Sequence, residues 1–422
     1  MSSKPIKKLI QQHWQFLDAD WPVVTRSKFH RTELKPVKHM DYVKKVLLDR
    51  LGIIPVYFFL VCIWCHETFP GPYREVDKGL LVLFYLVKGV TTEAMQPYMP
   101  KSSFYAIYDM MFKKEYKFYT KMCNGFLDNM FSTFEIRLRS AKEKNPPLFK
   151  HVTILLDGHD TRATYTMENK AEAYSYKLKK PGLRTQVAID VNGMALMVSQ
   201  SAPCKDNSDG SMLVDMKIHK KIHELDCVAL DGGYTLFLDQ IIEGSDLTYK
   251  NFACPIRKKK TKDLAKDQLN YNSIFGSFRS MMEDTFGELG LTFDKHNNKV
   301  PVRVDRKKTY NLMLRLCLVL QNVKTFVHNN GIEPLPHHAL WLEQDFEYPT
   351  NASNIPDTLD LATVASKLEF GDEISRLQDE FLSMGMDEDV DDVLEESEEE
   401  ELQTNRRSKR AFVEAVEICR KK

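Results

Sequence analysis

No uninterrupted apolar run in this sequence reaches the roughly 20 residues that a bilayer-spanning helix needs. The most apolar stretch, residues 53–65, is shorter and carries Pro55, so it reads as a helix buried in a core. The basic-then-apolar leader of an exported protein is missing too. Residues 1–8 are polar and basic, and secretion is not expected. Cysteine lacks a pattern: eight are scattered without the spacing of a disulfide scaffold, which points to reduced thiols in a cytosolic or nuclear compartment. Cys62, Cys65 and His66 form a C-x-x-C-H string, but it lies on the apolar run without an export signal, so covalent haem is not expected. No second pair stands at the spacing of a zinc site.

Net charge is also absent, since 59 Lys and Arg balance 59 Asp and Glu. The balance hides a division. Eleven of the acids fall in residues 387–401, which contain no Lys or Arg, so elsewhere 59 basic residues face 48 acidic ones. That excess suits a polyanionic partner, and a plain solvated surface explains it almost as well. The acidic run and the basic cluster after it, Arg406, Arg407, Lys409 and Arg410, cannot bury enough apolar surface to order themselves. Residues 371–422 therefore read as a mostly disordered tail, its acidic run as a DNA mimic or protein-interaction segment and its basic cluster as a nuclear localisation signal, against plain solubilisation. A chain of 422 residues with 43% apolar content has room for two domains besides this extension.

Residues 1–145 read as an all-helical N-terminal domain, with apolar residues returning at three and four positions and breaks at Gly52, Pro70-Gly71-Pro72, Gly89, Pro97 and Pro100. Within 75–112, an amphipathic helix over 76–87 is broken by Gly89. A short helix over 91–96 follows, and Ser102 or Ser103 can cap a third that runs to Phe112. This is the order of a helix-turn-helix, with Lys101 as a DNA contact; an ordinary helical bundle fits the same pattern. The texture changes at Asn145-Pro146-Pro147. Strands at 151–156, 184–190 and 194–200, the last two joined by the hairpin signal Asn192-Gly193, precede a helix over 211–223. A strand at 227–230, a short helix at 236–242, a strand at 252–256 and a helix at 270–289 complete the series. That order is the order of an RNase H-like fold: an α/β core with a mixed five-stranded sheet, over residues 146–330. Residues 331–370 read as a C-terminal extension.

Phosphodiester hydrolysis needs a deprotonated water and a stabilised leaving oxygen. Two divalent ions about 3.5–4 Å apart supply both, and hard cations want carboxylate oxygens. The first strand delivers Asp157 after Ile154-Leu155-Leu156 and before Gly158. The fourth delivers Asp231 after Ala229-Leu230 and before Gly232-Gly233-Tyr234. Neighbouring strands would bring both acids to one sheet edge. The helix over 270–289 offers Glu283, with Arg279 and Asn272 on the same face at 100° per residue. Arg279 is expected to hold Glu283 or a phosphate, while Phe278, Met282 and Phe286 seat the helix. Each acid alone has a plainer reading as a turn or surface residue. Their conjunction makes Asp157, Asp231 and Glu283 the candidate catalytic and metal-binding residues. Arg257, Lys258, Lys259, Lys260 and Lys262 follow the fifth strand and are candidate DNA contacts, against the plainer reading of a solvated loop.

These residues resemble the DDE superfamily endonucleases of PIF/Harbinger transposons and related bacterial insertion-sequence transposases. The family's first block, an apolar strand ending Asp-Gly-Thr, stands here as Ile154-Leu155-Leu156-Asp157-Gly158-His159-Asp160-Thr161. Asp157 or Asp160 could be the ligand, and Asp157 is preferred because it ends the apolar run. Tyr174-Ser175-Tyr176-Lys177 looks like the family's Tyr-Ser-x-Lys block. Asp209 resembles the acid that closes the third strand, with Asp206 competing for that place. Ala229 to Tyr234 resembles the Ala-Asp-x-Gly-Tyr block, with Gly232 as an extra residue. Tyr271-Asn272, Arg279, Glu283 and Phe286-Gly287 keep the spacing of the third block, with departures at Ile274 and Gly276. The resemblance implies two Mg²⁺ or Mn²⁺ ions at Asp157, Asp231 and Glu283, with Lys177, Asp209, Asn272 and Arg279 in support. It also implies double-stranded DNA as substrate, a separate Myb-like DNA-binding partner, a homodimer to process two transposon ends, and a nuclear location, or the cytoplasm in a prokaryotic or viral setting. No membrane partner is expected. The alternative is a domesticated transposase that binds DNA or chromatin without cutting it; a nuclease acting on RNA would share the metal chemistry.

Overall fold

The structure, a computed structural model, describes residues 34–64, 68–112, 123, 127, 132–164, 173–205, 207–258, 263–303, 306–344 and 346. The expectations for the tail 371–422 and for Cys65, His66, Asp206, Lys259, Lys260 and Lys262 lie outside the described residues.

The chain opens with helices α1 (Met40–Leu51), α2 (Ile53–Phe58, continuing as a π-helical turn over Phe59–Ile63), α3 (Glu75–Lys88), α4 (Lys101–Phe112) and α5 (Phe134–Lys144). The apolar stretch behaves as its composition dictates, with Ile54 to Trp64 all buried. Among the described residues, no single helix is long and apolar enough to cross a membrane. Helix α3 stops at Gly89, whose φ of 59° few side chains adopt. A β-carbon there would also lie 2.4 Å from the carbonyl carbon of Asp294, so this glycine lets the helical part close onto the segment after the long helix of the core. A single 3₁₀ turn, Glu93–Met95, stands where the short second helix was expected. Helix α4 starts at Lys101, so Ser102 and Ser103 lie inside its first turn instead of capping it. Phe104, Ile107, Tyr108 and Met111 are spent on the core.

Among the described residues, eight strands follow in one curled sheet: β1 (Ile154–Thr164), β2 (Tyr174–Ser175), β3 (Lys180–Asp190), β4 (Ala195–Val198), β5 (Ala202–Pro203), β6 (Val228–Ala229), β7 (Phe252–Ala253) and β8 (Val302–Arg303). The five expected strands lie in the order β4, β3, β1, β6, β7, antiparallel from β4 to β1 and parallel from β1 to β7, which is the RNase H-like arrangement. Three short strands add to its edges. Strand β1 departs from its expected end: it does not stop at Asp157 but continues through Gly158-His159-Asp160-Thr161 to Thr164, because β3 pairs with it from Asp190 to Gly182. The turn between β3 and β4 is built as the Asn-Gly pair requires. Gly193 takes φ 77°, and the Asp190 carboxylate accepts from the amides of Asn192 and Met194.

The sheet is covered on both faces. Leu155, Val187, Ile189 and Ala229 face helices α8 (Lys266–Thr292) and α9 (Lys307–Asn330), counting α6 (Asp209–Met216) and α7 (Leu238–Ile242) before them. Ile154, Leu156, Ala188 and Val228 face α6 and α7. Helix α6 is shorter than the expected 211–223, because Lys217 turns left-handed (φ 52°) and a 3₁₀ turn, Ile218–Lys220, takes over. The helical part shares its interior with the sheet: Leu47, Trp64, Leu83, Val187, Phe278, Leu316 and Trp341 belong to one apolar cluster. The 3₁₀ segment Pro336–Leu342 returns to the start of the chain, where Trp341 Nε1 donates to the Ile53 carbonyl and Lys44 Nζ donates to the Leu342 carbonyl.

Candidate active site

Strands β1 and β6 run parallel with Leu155 opposite Ala229. Two residues further along each, Asp157 and Asp231 reach the same level at one sheet edge. Arg279, on α8 across that edge, lies between them: Nη2 is 3.6 Å from Asp157 Oδ1 and Nη1 is 3.5 Å from Asp231 Oδ1. Lys177 adds a second cation, 3.9 Å from Asp157 Oδ2, and donates to the Gly158 carbonyl. Each Asp also accepts from the amide that follows it, Gly158 N at 2.8 Å and Gly232 N at 2.7 Å. Two acids that would repel one another are thus held by a shared guanidinium.

Glu283 stands one turn beyond Arg279 on α8, exposed and without an ion pair among the described residues. The expected Arg279–Glu283 pair is not formed, because the two strand acids draw the guanidinium to the sheet edge. Among the described residues, no three acidic, His or Cys side chains close on one point. Phe278 and Met282 are buried and Phe286 packs beside them, seating the helix as expected; the Phe286 ring also lies 4.7 Å from that of His159.

Behind the acids runs a chain of polar side chains. Asp160 is buried and takes a bidentate pair from Arg184 (2.7 and 2.9 Å) and a hydrogen bond from Ser175 Oγ (2.6 Å). Burial alone would raise this carboxyl, but the Arg184 and Ser175 hydrogen bonds hold it below its ordinary range. Its oxygens are committed to structure, which leaves Asp157 as the acid open to the edge. Arg184 Nη1 continues to Asp209 Oδ2 at 3.1 Å, Gln186 Nε2 donates to Asp209 Oδ1 at 2.8 Å, and Tyr234 Oη donates to Gln186 Oε1. Asp209 sits directly over Gly158, where a β-carbon would fall 2.3 Å from its Oδ1. Burial pushes the Asp209 carboxyl up against the opposing pull of Arg184 and Gln186, with Asp157 and Asp160 raising it further.

Asn272 does not look at the acids. Its amide closes both polar groups of the Ile256 backbone, accepting from N and donating to O at 2.8 Å each, and so pins α8 to the end of β7. Arg257 donates to the Gly232 carbonyl, which sets it against the Asp231 turn. Lys258 is exposed and pairs with Asp263. Lys101 lies 3.4 Å from Glu93 on the far helical part. Arg184 and Gln186 were not foreseen, and Ser175 stood only as part of the Tyr-Ser-x-Lys block, with no role given to it. The signal was present in β3, where Arg184 and Gln186 are polar positions two apart in an otherwise buried strand, opposite Asp160 and Gly158.

A mixed sheet in RNase H-like order, with two acids leaving adjacent parallel strands beneath a helix, defines the class of the core. Residues 158–322 match the family model of the DDE superfamily endonucleases, which is consistent with a DDE transposase-like protein. The match begins one residue after Asp157 and includes Asp231, Arg279 and Glu283. Comparison with curated proteins and with solved structures gives no match. Asp157 and Asp231 offer the hard carboxylate oxygens that a divalent cation takes, and the Arg279 guanidinium lies within 4 Å of an oxygen of each, while Glu283 does not join them.

Proposed function

We propose that the chain is a metal-dependent DNA endonuclease that cuts phosphodiester bonds at transposon ends through Asp157, Asp231 and Glu283. The reading is carried by one observation: parallel register brings Asp157 and Asp231 level at one edge, where they share a single cation. Two Mg²⁺ or Mn²⁺ ions would lower the pKa of the attacking water and take up charge on the leaving oxygen. Asp157 and Asp231 would hold the metals from the sheet, and Glu283 would close the set from α8. Arg279, once released from the acids, would carry to a phosphate the planar fork that suits it. Lys177 stands beside it, and Arg257 and Lys258 extend the positive border. The resemblance to Harbinger elements supports a Myb-like partner, a homodimer and a nuclear location.

The test is nicking of a supercoiled plasmid that carries the inverted repeats flanking the gene, with Mg²⁺ or Mn²⁺. Asp157→Asn, Asp231→Asn and Glu283→Gln should each reduce nicking to background and leave DNA affinity within about twofold, since binding rests on Lys and Arg. Cleavage surviving in Asp231→Asn ends the reading. The exposed position of Glu283 favours a second reading, a DNA- or chromatin-binding protein derived from a transposase. A wild-type chain that binds DNA and never nicks it would establish that one.

A further inference from the structure

A cleft of about 250 Å³ lies between the helical part and the core, lined by Tyr85, Tyr108, Lys295, Arg303, Arg306 and Thr309 among others. It is room for roughly eight waters at about 30 Å³ each. At its back, Lys295 Nζ donates to Tyr85 Oη at 2.9 Å and has no carboxylate partner among the described residues. Arg306 is close enough to act electrostatically on Lys295, Tyr85 and Tyr108, and likewise has no ion pair among the described residues. The rim carboxylate, Glu93, is taken by Tyr105 Oη at 2.8 Å and Lys101 at 3.4 Å. Helix α9 starts beside Arg306 without a side-chain cap, and both Arg306 and Thr309 of its first turn line the cleft. Burial first, and Arg306 after it, bring the Lys295 ammonium down to about 8. Burial likewise pushes the Tyr108 hydroxyl up to about 12, which keeps it a donor at neutral pH. Two cations crowded together, hydroxyl donors and an uncapped helix start have one thing in common. Each is stabilised by an oxyanion, and among the described residues the one carboxylate lining the cleft, Glu93, is spent on Tyr105 and Lys101.

We propose that this cleft binds a phosphate group. It uses none of Asp157, Asp231 or Glu283, and stands apart from the nuclease reading. The phosphate could be supplied by a free phosphate or pyrophosphate, or by the backbone of DNA lying across the junction, and two measurements on the full chain separate these sources. The first is calorimetric titration with inorganic pyrophosphate at fixed ionic strength. The second is the slope of log DNA affinity against log salt. Arg306→Gln, half-exposed and outside the core, is the main variant, with Lys295→Gln as the second. If the ligand is free, wild type binds pyrophosphate and Arg306→Gln weakens it at least tenfold. If it is a phosphodiester, pyrophosphate binds no differently from chloride, and the salt slope falls by about one in Arg306→Gln. Unchanged pyrophosphate binding together with an unchanged slope in a folded Arg306→Gln overturns the proposal. A chain that binds pyrophosphate here but never cuts DNA sinks the nuclease reading and leaves this site standing.

Discussion

Arg279 lies between Asp157 and Asp231, so a divalent cation held by both acids, as proposed, would compete with it. Arg279→Gln removes the competitor while keeping a hydrogen-bonding side chain. Its Mn²⁺-induced rise in Tm should exceed that of wild type at equal metal, even though its nicking falls. A rise equal to or smaller than wild type's shows that guanidinium and metal do not compete. Asp209 offers a different test. Its carboxyl is raised in the fold, so the ionised form is disfavoured at neutral pH, and that penalty disappears as pH falls below the unfolded carboxylate value of about 4. Asp209→Asn keeps an oxygen for Gln186 and leaves Arg184 its pair with Asp160. Thermal melts should place it above wild type at pH 7 and level with it near pH 4. A variant less stable at pH 7 shows that the Arg184 contact outweighs the burial.

Strand β1 and helix α6 approach one another over Gly158 more closely than any side chain there allows. Gly158→Ala should lower stability and nicking together, and the loss should shrink in an Asp209→Ala background, where the obstructing carboxylate is gone. Equal losses in both backgrounds would place the strain elsewhere. The same pair of elements shows what was legible in the sequence. The five main strands and helix α8 follow from local patterns, and the acids from their position after apolar runs, whereas α9 (Lys307–Asn330) was not expected. The continuation of β1 does not, because Gly158-His159-Asp160-Thr161 has the chemistry of a turn until Arg184 and Gln186, on a strand more than twenty residues away, neutralise it. Arg279 faces the sheet edge, and its partner depends on which acids the assembled edge brings within reach. That is a property of the assembled sheet edge, whereas the spacing from Arg279 to Glu283 is local.

The whole molecule has one interior where the sequence reads as two domains, since the helices before residue 145 and the sheet share their apolar cluster with Trp341. Ending the chain at residue 335 should therefore cost the sheet its stability as well as the helices. Far-UV circular dichroism and Trp64 fluorescence should both lose their cooperative transition, and a truncated chain that melts like wild type would show the returning segment to be a passive cover. The bond from Lys44 to Leu342 spans 298 residues. On the ribosome, at about 5–20 residues per second, α1 and α2 are made long before Trp341 arrives to cover them. Of the described helices, the first two made are thus among the last to be sealed, and their apolar surface is open to chaperones until the segment around Trp341 is made.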